Sequence, residues 1–235
     1  MSLFPRRVEP EQLDSLPATD PESIRSRRDL QRLNVIMGQA ASLARIIRAH
    51  GAAAWVRRVV DLGGSDGTML LELARRLTPR GHAMRGVVVD RHPAIEDRTR
   101  DGFRALGWEL EAAATEVDDW LERTADRDGT VTIANLFLHH FEEQALRSLL
   151  TRISATTRLF VASDPRRSRF TLAASHLIGW LGCGPVTRSD GVISVRAGFI
   201  GRELSALWPD TAGWQIDEGE TGPFSHYFVA SRRGA

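Results

Sequence analysis

Val59-Val60-Asp61-Leu62-Gly63-Gly64-Ser65-Asp66-Gly67-Thr68-Met69 reads as a buried strand that stops at an acid, then a glycine-rich turn, then the start of a helix. Val59 and Val60 are β-branched and apolar, as a parallel strand covered on both faces requires. Gly63, Gly64 and Gly67 permit backbone angles that side chains forbid and let the main chain approach a ligand closely. Beyond Gly67 the apolar positions Met69, Leu70, Leu71, Leu73, Ala74 and Leu77 recur at helical spacing, and Pro79-Arg80-Gly81 is the expected stop. A strand, a glycine loop and a helix in that order form a cradle for an anionic group, because the free N–H groups of a helix N-terminus favour negative charge.

Working outward, a second buried strand, Arg85-Gly86-Val87-Val88-Val89-Asp90, also ends in an acid. A carboxylate there can accept hydrogen bonds from both hydroxyls of a ribose, and Asp90 lies 23 residues beyond Gly67, near the ~20 that this role needs. Arg91 and His92 follow it, either flanking a bound base or sitting in a solvated turn. A third strand over Leu110–Ala114 leads into Thr115-Glu116-Val117-Asp118-Asp119-Trp120-Leu121, where Asp118 is also a candidate helix cap. Thr130–Leu136 is a fourth strand, running into Phe137-Leu138-His139-His140-Phe141 and a helix from Glu142 to about Ala155. Arg158–Ser163 is a fifth strand, ending at Asp164-Pro165-Arg166-Arg167. Open α/β sheets form their sites at the C-terminal ends of such strands.

The glycine spacing does not fit the dinucleotide pattern G-x-G-x-x-G, and a phosphate-binding P-loop needs a lysine, of which the chain has none. Asp61-Leu62-Gly63-Gly64-Ser65-Asp66-Gly67 instead resembles motif I of class I S-adenosylmethionine (SAM)-dependent methyltransferases, acid-x-Gly-x-Gly-x-Gly, with Ser65 where the middle glycine is usual. A tight strand-to-helix turn that needs glycines for its own geometry is the other reading of this stretch alone. The run Asn135 to Phe141 resembles motif IV of the small-molecule group, Asn-x-x-Leu-His-His-Phe. The resemblance covers about residues 55–233, with four motifs in order. It implies a seven-stranded, mostly parallel sheet in the order 3-2-1-4-5-7-6, strand 7 antiparallel and helices on both faces. It implies SAM as cofactor, held by Asp61, Gly63, Gly64, Ser65, Asp66 and Gly67, by Asp90 and Arg91, and by Asn135, Leu136 and His139. The adenine is assigned to Glu116 and Val117, with Asp118 the rival. The expected activity is methyl transfer to a small-molecule acceptor, with a hydroxyl of a phenolic, quinone or polyketide-like metabolite as the expected position. C-methylation and a non-catalytic SAM-binding regulator are the alternatives. His140 is the expected general base, with His139 nearer the cofactor and Asp164 as a further catalytic candidate. No grouping along the chain has metal-ligand spacing, so no metal is expected.

The chain divides into an N-terminal arm with lid helices (1–54) and a cofactor-binding domain (55–235), the latter carrying an insertion at about 165–196 that covers the acceptor pocket. Asp20-Pro21-Glu22-Ser23 starts the first long helix, with an Asp cap and Pro at the first helical position. These helices either close over the site or pack on the sheet edge. The insertion holds an amphipathic helix from Phe170 to Leu181, in which His176 reads as a packed or capping residue. A further helix is expected at about Ala197–Leu207, followed by a closing hairpin.

A net charge of +1 gives no global reason to bind nucleic acid or anionic membranes. The Asp/Asn-Pro-Pro-Tyr/Phe clamp of base methyltransferases is absent, so no nucleic-acid partner is expected. All 31 basic residues are arginine, which excludes lysine general bases and Schiff bases, and the single Cys183 excludes an intrachain disulfide. The early charges interrupt any leader-like apolar run, and Phe170–Leu181 is too short to span a bilayer. A cytoplasmic protein without stable membrane insertion is expected, with a small-molecule partner and a homodimer left open.

Overall fold

The computed structural model describes residues 4–17, 19–77, 84–124 and 129–233. The expected helix stop at Pro79-Arg80-Gly81 lies outside them.

Seven strands form one sheet: β1 (Arg58–Leu62), β2 (Met84–Asp90), β3 (Trp108–Ala114), β4 (Thr130–Asn135), β5 (Leu159–Pro165), β6 (Trp214–Thr221) and β7 (Ser225–Arg232). Their order is β3-β2-β1-β4-β5-β7-β6. The first five run parallel, and β7 is antiparallel to both β5 and β6. Only Thr221 to Ser225 joins β6 to β7, too short a link for a parallel crossover. Val59, Val60 and Leu62 of β1 and Val88 and Val89 of β2 are fully buried, because helices cover both faces of the sheet.

One face packs against α6 (Val117–Arg123) and α7 (Glu143–Thr156), with Leu121, Leu146 and Leu150 meeting Val60, Leu62 and Phe160. The other packs against α3 (Gln39–Ala49), α4 (Thr68–Leu77) and α5 (Asp97–Ala105), with Leu43, Ile47, Leu70 and Phe103 meeting Val59, Val131 and Ile133. Although it precedes β1, α3 is therefore part of the sheet's own core. The strand order reverses between β1 and β4, and the crevice at their C-terminal ends is where such sheets bind ligands.

An arm carrying the short α1 (Gln12–Ser15) precedes α2 (Pro21–Ile36). Asp20 caps α2 by accepting from Glu22 N at 2.8 Å, and Gly38, at φ 63°, turns the chain into α3. After β5 come α8 (Arg169–Leu177), a 3-10 turn (Ile178–Leu181) and α9 (Pro185–Ala197). Buried Asp29 of α2 accepts from Gly184 N at 2.7 Å and Thr187 Oγ1 at 3.0 Å, and so fastens α2 to the start of α9.

The helix expected at Ala197–Leu207 is corrected: the helix ends at Ala197, and 201–207 is a series of turns. A Cβ on Gly198 would lie 2.1 Å from Pro165 O, so the chain there is pressed against the end of β5 and cannot continue as a helix. Gly201 turns it at φ 61°. Glu218 then accepts from Leu204 N and Ser205 N, giving those turns the hydrogen bonds a helix would have supplied. At the start of α6, Glu116 occupies the cap position and Asp118 lies in the first turn. No helix among the described residues is long and apolar enough to cross a membrane.

Candidate active site

The glycine turn between β1 and α4 is built from left-handed residues: Gly63 at φ 72°, Ser65 at 45° and Gly67 at 70°. Gly63 is confined by more than its angle, since a Cβ there would lie 2.3 Å from Phe137 Cδ2. Ser65 holds an angle that costs a non-glycine residue energy, and its N–H donates to Asp90 Oδ2 at 3.0 Å. The acid at the end of β2 thus props open the loop after β1. Asp90 Oδ1 accepts from His92 N at 2.8 Å, which leaves each carboxylate oxygen a further lone pair.

Asp61 is buried beneath this loop, and its Oδ2 has no hydrogen-bond partner among the described residues. Burial, with Asp66 and Asp90 nearby, pushes its carboxyl up to about 8. An orphaned acid of this kind suits a ligand that brings a donor or positive charge. Asp66 serves the protein itself. It caps α4 by accepting from Thr68 N and Oγ1 at 2.8 and 2.6 Å, and from Gln31 Nε2 of α2 at 2.7 Å.

A cavity of about 1070 Å³ opens over these strand ends. Gly63, Ser65, Asp90 and Arg91 line one part of it, and Glu116, Val117 and Asp118 stand beside them. Arg91 Nε lies 3.9 Å from Glu116 Oε1. Leu136, His139 and His140 line the part over β4. Asp61, Gly64, Asp66, Gly67, Asn135 and Asp164 do not line it. Asn135 instead donates to Asn34 Oδ1 of α2 at 3.3 Å.

The end of β4 is strained, with Leu136 at φ 54°, before the 3-10 turn Leu138–His140 begins. Asp164, fully buried at the end of β5, organises that turn. Its Oδ1 accepts from Phe137 N at 3.1 Å, His139 N at 3.2 Å and His139 Nδ1 at 2.8 Å. His139 Nε2 lies 3.2 Å from Glu11 Oε1, and Ser194 of α9 also donates to that oxygen. Burial alone would lower the pKa of His139, but the hydrogen bonds and charges of Asp164 and Glu11 outweigh it and push it up to about 9. Both nitrogens therefore carry protons at neutral pH, and His139 cannot accept another. His140 is the histidine with an accessible ring. It lines the cavity, and its Nδ1 lies 3.5 Å from Asp14 Oδ2.

Glu11 and Asp14 were not legible as site residues, because the arm has no periodicity to place it. It is docked by polar contacts: Asp190 of α9 accepts from Gln12 N and Leu13 N at 2.9 and 3.0 Å. Arg6 adds bonds to the carbonyls of Ala197 and Phe141 at 2.7 and 2.9 Å. Ligand atoms of Glu11, His139 and His140 come within 4.8 Å of one another, a grouping that spacing along the chain could not show. Within it both nitrogens of His139 already share protons with carboxylates.

Neither a protein-family model nor a curated protein matches the sequence. Solved structures do match in shape. The plantazolicin methyltransferase BpumL in complex with SAH superposes with a TM-score of 0.64 at 11% identity, over 92% of each chain. An O-methyltransferase family protein from Burkholderia thailandensis gives 0.57 at 16% identity over 93% of this chain, which spans 63% of that protein's length. The mitomycin 7-O-methyltransferase MmcR gives 0.51 at 16% identity, over 93% of this chain and 71% of its own. With the sheet order, these likenesses show the fold: the chain has the Rossmann-like fold seen in class I SAM-dependent methyltransferases.

Proposed function

We propose that this chain transfers the methyl group of SAM to a small-molecule acceptor, at a hydroxyl of a phenolic, quinone or polyketide-like metabolite. The observation that carries the reading is a single cavity with the glycine loop and Asp90 in one part and the paired histidines in another. The structural neighbours support it, one being a complex with SAH and another a mitomycin 7-O-methyltransferase.

The residues fit the cofactor. Gly63 and Ser65 would face it from the loop, Asp90 would accept from the ribose hydroxyls, and Glu116 and Val117 would stand at the adenine. Buried Asp61, whose Oδ2 lacks a partner, lies beneath the loop, and a positively charged ligand above it would draw its raised carboxyl back toward the charged form. When bound, SAM supplies a methyl carbon made electrophilic by a sulfonium. The protein's part is to align a hydroxyl for in-line attack and to accept its proton. His140 accepts that proton at its free nitrogen, while Asp14 steadies the ring from the Nδ1 side. His139, already protonated and clamped, holds the turn that carries His140 in place.

Calorimetry with SAM and, separately, with NAD tests the cofactor, and NAD binding without SAM binding would sink the reading. Incubating metabolite pools with methyl-labelled SAM, followed by mass spectrometry, tests the acceptor: the label should appear on oxygen. Label on carbon would move the reading to C-methylation. Tight SAM binding with no labelled product from any pool would favour a regulator.

A further inference from the structure

Six of the seven large apolar side chains exposed among the described residues fall on three elements. Val35 and Ile36 end α2, Phe170 and Leu177 lie on α8, and Trp180 and Leu181 on the 3-10 turn after it. Trp180 is 88% exposed and Val35 73%. Ile36, Leu177, Trp180 and Leu181 also line the cavity, so they form the rim of its mouth. Phe170 and Leu177 are two helical turns apart on one face of α8, and Phe170 stacks on Phe224 with ring centroids 5.7 Å apart. A monomer rarely leaves apolar side chains gathered in this way without a use for them.

The two stretches of chain that carry this rim are poor in acids. No Asp or Glu occurs from Leu30 to Val60, and none from Pro165 to Ser189, although the whole chain is nearly neutral. Asp29 is buried and spoken for by Arg32, Gly184 and Thr187, and Glu220, the acid nearest Phe224 in sequence, is held by Arg166 at 2.7 Å. Arginines collar the 3-10 turn. A Cβ on Gly179 would lie 3.0 Å from Arg188 Nε, one on Gly184 2.8 Å from Arg25 Nε, and one on Gly182 3.9 Å from Arg32 Nη1. Arg25, Arg28, Arg169 and Arg188 are exposed and make no ion pair among the described residues.

From this juxtaposition we infer that the α2 end and the α8–3-10 turn form a docking surface for an anionic lipid membrane, with Trp180 and Leu181 entering the interface and the arginines meeting lipid phosphates. Tryptophan and leucine favour the headgroup boundary, and each arginine held near an anionic surface adds attraction that salt screens. A protein partner of opposite charge would satisfy the arginines but would have to cover a protruding indole beside an open cavity. A lipid surface does this without a matching shape. Contact of this kind is peripheral and needs no membrane-spanning helix. The mouth would then open on the bilayer, so an apolar acceptor could enter without crossing water. That last consequence rests on the methyltransferase reading, but the docking surface does not.

The test is co-sedimentation of the full chain with vesicles of phosphatidylcholine alone and of phosphatidylcholine with phosphatidylglycerol, at low and high salt. Binding should require phosphatidylglycerol and weaken as salt rises. Trp180→Ser with Leu181→Ser should lower partitioning at least tenfold, and Arg25→Glu with Arg188→Glu should do the same, with circular dichroism confirming that both variants fold. Two results overturn the inference: wild type that stays in the supernatant with both vesicles, or binding that the Trp180 and Leu181 changes leave intact. A third is a stable dimer in sedimentation equilibrium that the Trp180 change dissociates, since a second copy would then be what covers the patch. SAM affinity, measured on the variant with Arg25→Glu and Arg188→Glu, whose side chains do not line the cavity, should be unchanged, which separates failure of this surface from failure of the cofactor site.

Discussion

His139 Nδ1 and Asp164 Oδ1 lie 2.8 Å apart inside the protein, and Glu11 of the N-terminal arm closes on the other ring nitrogen at 3.2 Å. One imidazolium thus joins β5, the turn after β4 and the arm. Because the pKa of His139 is raised from 6.5 to about 9, the folded state binds more protons than the unfolded one between those values. Its stabilising contribution is full below about 6.5 and is lost as pH rises through about 9. Glu11 works in the opposite sense. Burial raises its pKa, but its bonds to His139 win and lower it, so its contribution is lost as pH falls below the ordinary 4.5.

Thermal unfolding should therefore show the cluster at its strongest between about pH 4.5 and 6.5, with Tm falling toward pH 9. Glu11→Gln should flatten that fall, and comparison with wild type removes the contribution of other titrating groups such as Asp61. Asp164→Ala strands a buried imidazolium and should cost about 3–5 kcal/mol. Parallel Tm profiles for wild type and Glu11→Gln would show that His139 is neutral.

Asp90 reaches the ligand cavity and also holds the loop through Ser65 N. Asp90→Ala should weaken SAM binding by about 1.5–3 kcal/mol, the range for hydrogen bonds to a charged group. Asp90→Asn keeps an acceptor for one N–H and should lose less. Calorimetry that finds the alanine variant as tight as wild type would remove Asp90 from the ribose.

Much of the sheet was legible because its cause is local. Val59, Val60, Val87, Val88 and Val89 are unbroken apolar runs, and only strands buried on both faces need them. The places of Gly63 and Asp90 in the fold were legible for a related reason: one turns the chain and the other ends a strand, and a few adjacent residues are enough to show it. The failures have the opposite cause. Residues 197–207 looked helical, but Pro165 at one end and Glu218 at the other settle their shape from far along the chain. Glu11 and Asp14 meet the histidines across more than 120 residues, through contacts that α9 makes with the arm. Asp66 shows how one residue can fit a motif and still spend its side chain on a helix cap.

Gly63→Val should abolish SAM binding. The change adds a β-branched side chain at φ 72° and forces it into the ring of Phe137. Since Phe137 neighbours the histidine turn, the variant should also lose about 1–3 kcal/mol of stability through overpacking. Gly107→Ala, also at positive φ but with open space around it, serves as the control: a stability loss without a loss of SAM affinity. Retained tight binding in Gly63→Val would place the cofactor elsewhere.

His140 carries the prediction most closely tied to chemistry. It lines the cavity beside Asp14, whereas His139 is occupied on both nitrogens and Asp164 is sealed beneath it. If His140 takes the acceptor's proton, His140→Ala should lower kcat by about 10²–10⁴-fold and leave SAM affinity nearly intact, because proton removal matters only on the way to the transition state. An acceptor that is already ionised, or one methylated at carbon, needs no base, and the loss would then be small. The decisive measurement is therefore kcat for His140→Ala with two acceptors of different acidity. A loss that grows with the acceptor's pKa identifies the base, and a loss equal for both assigns His140 to positioning alone.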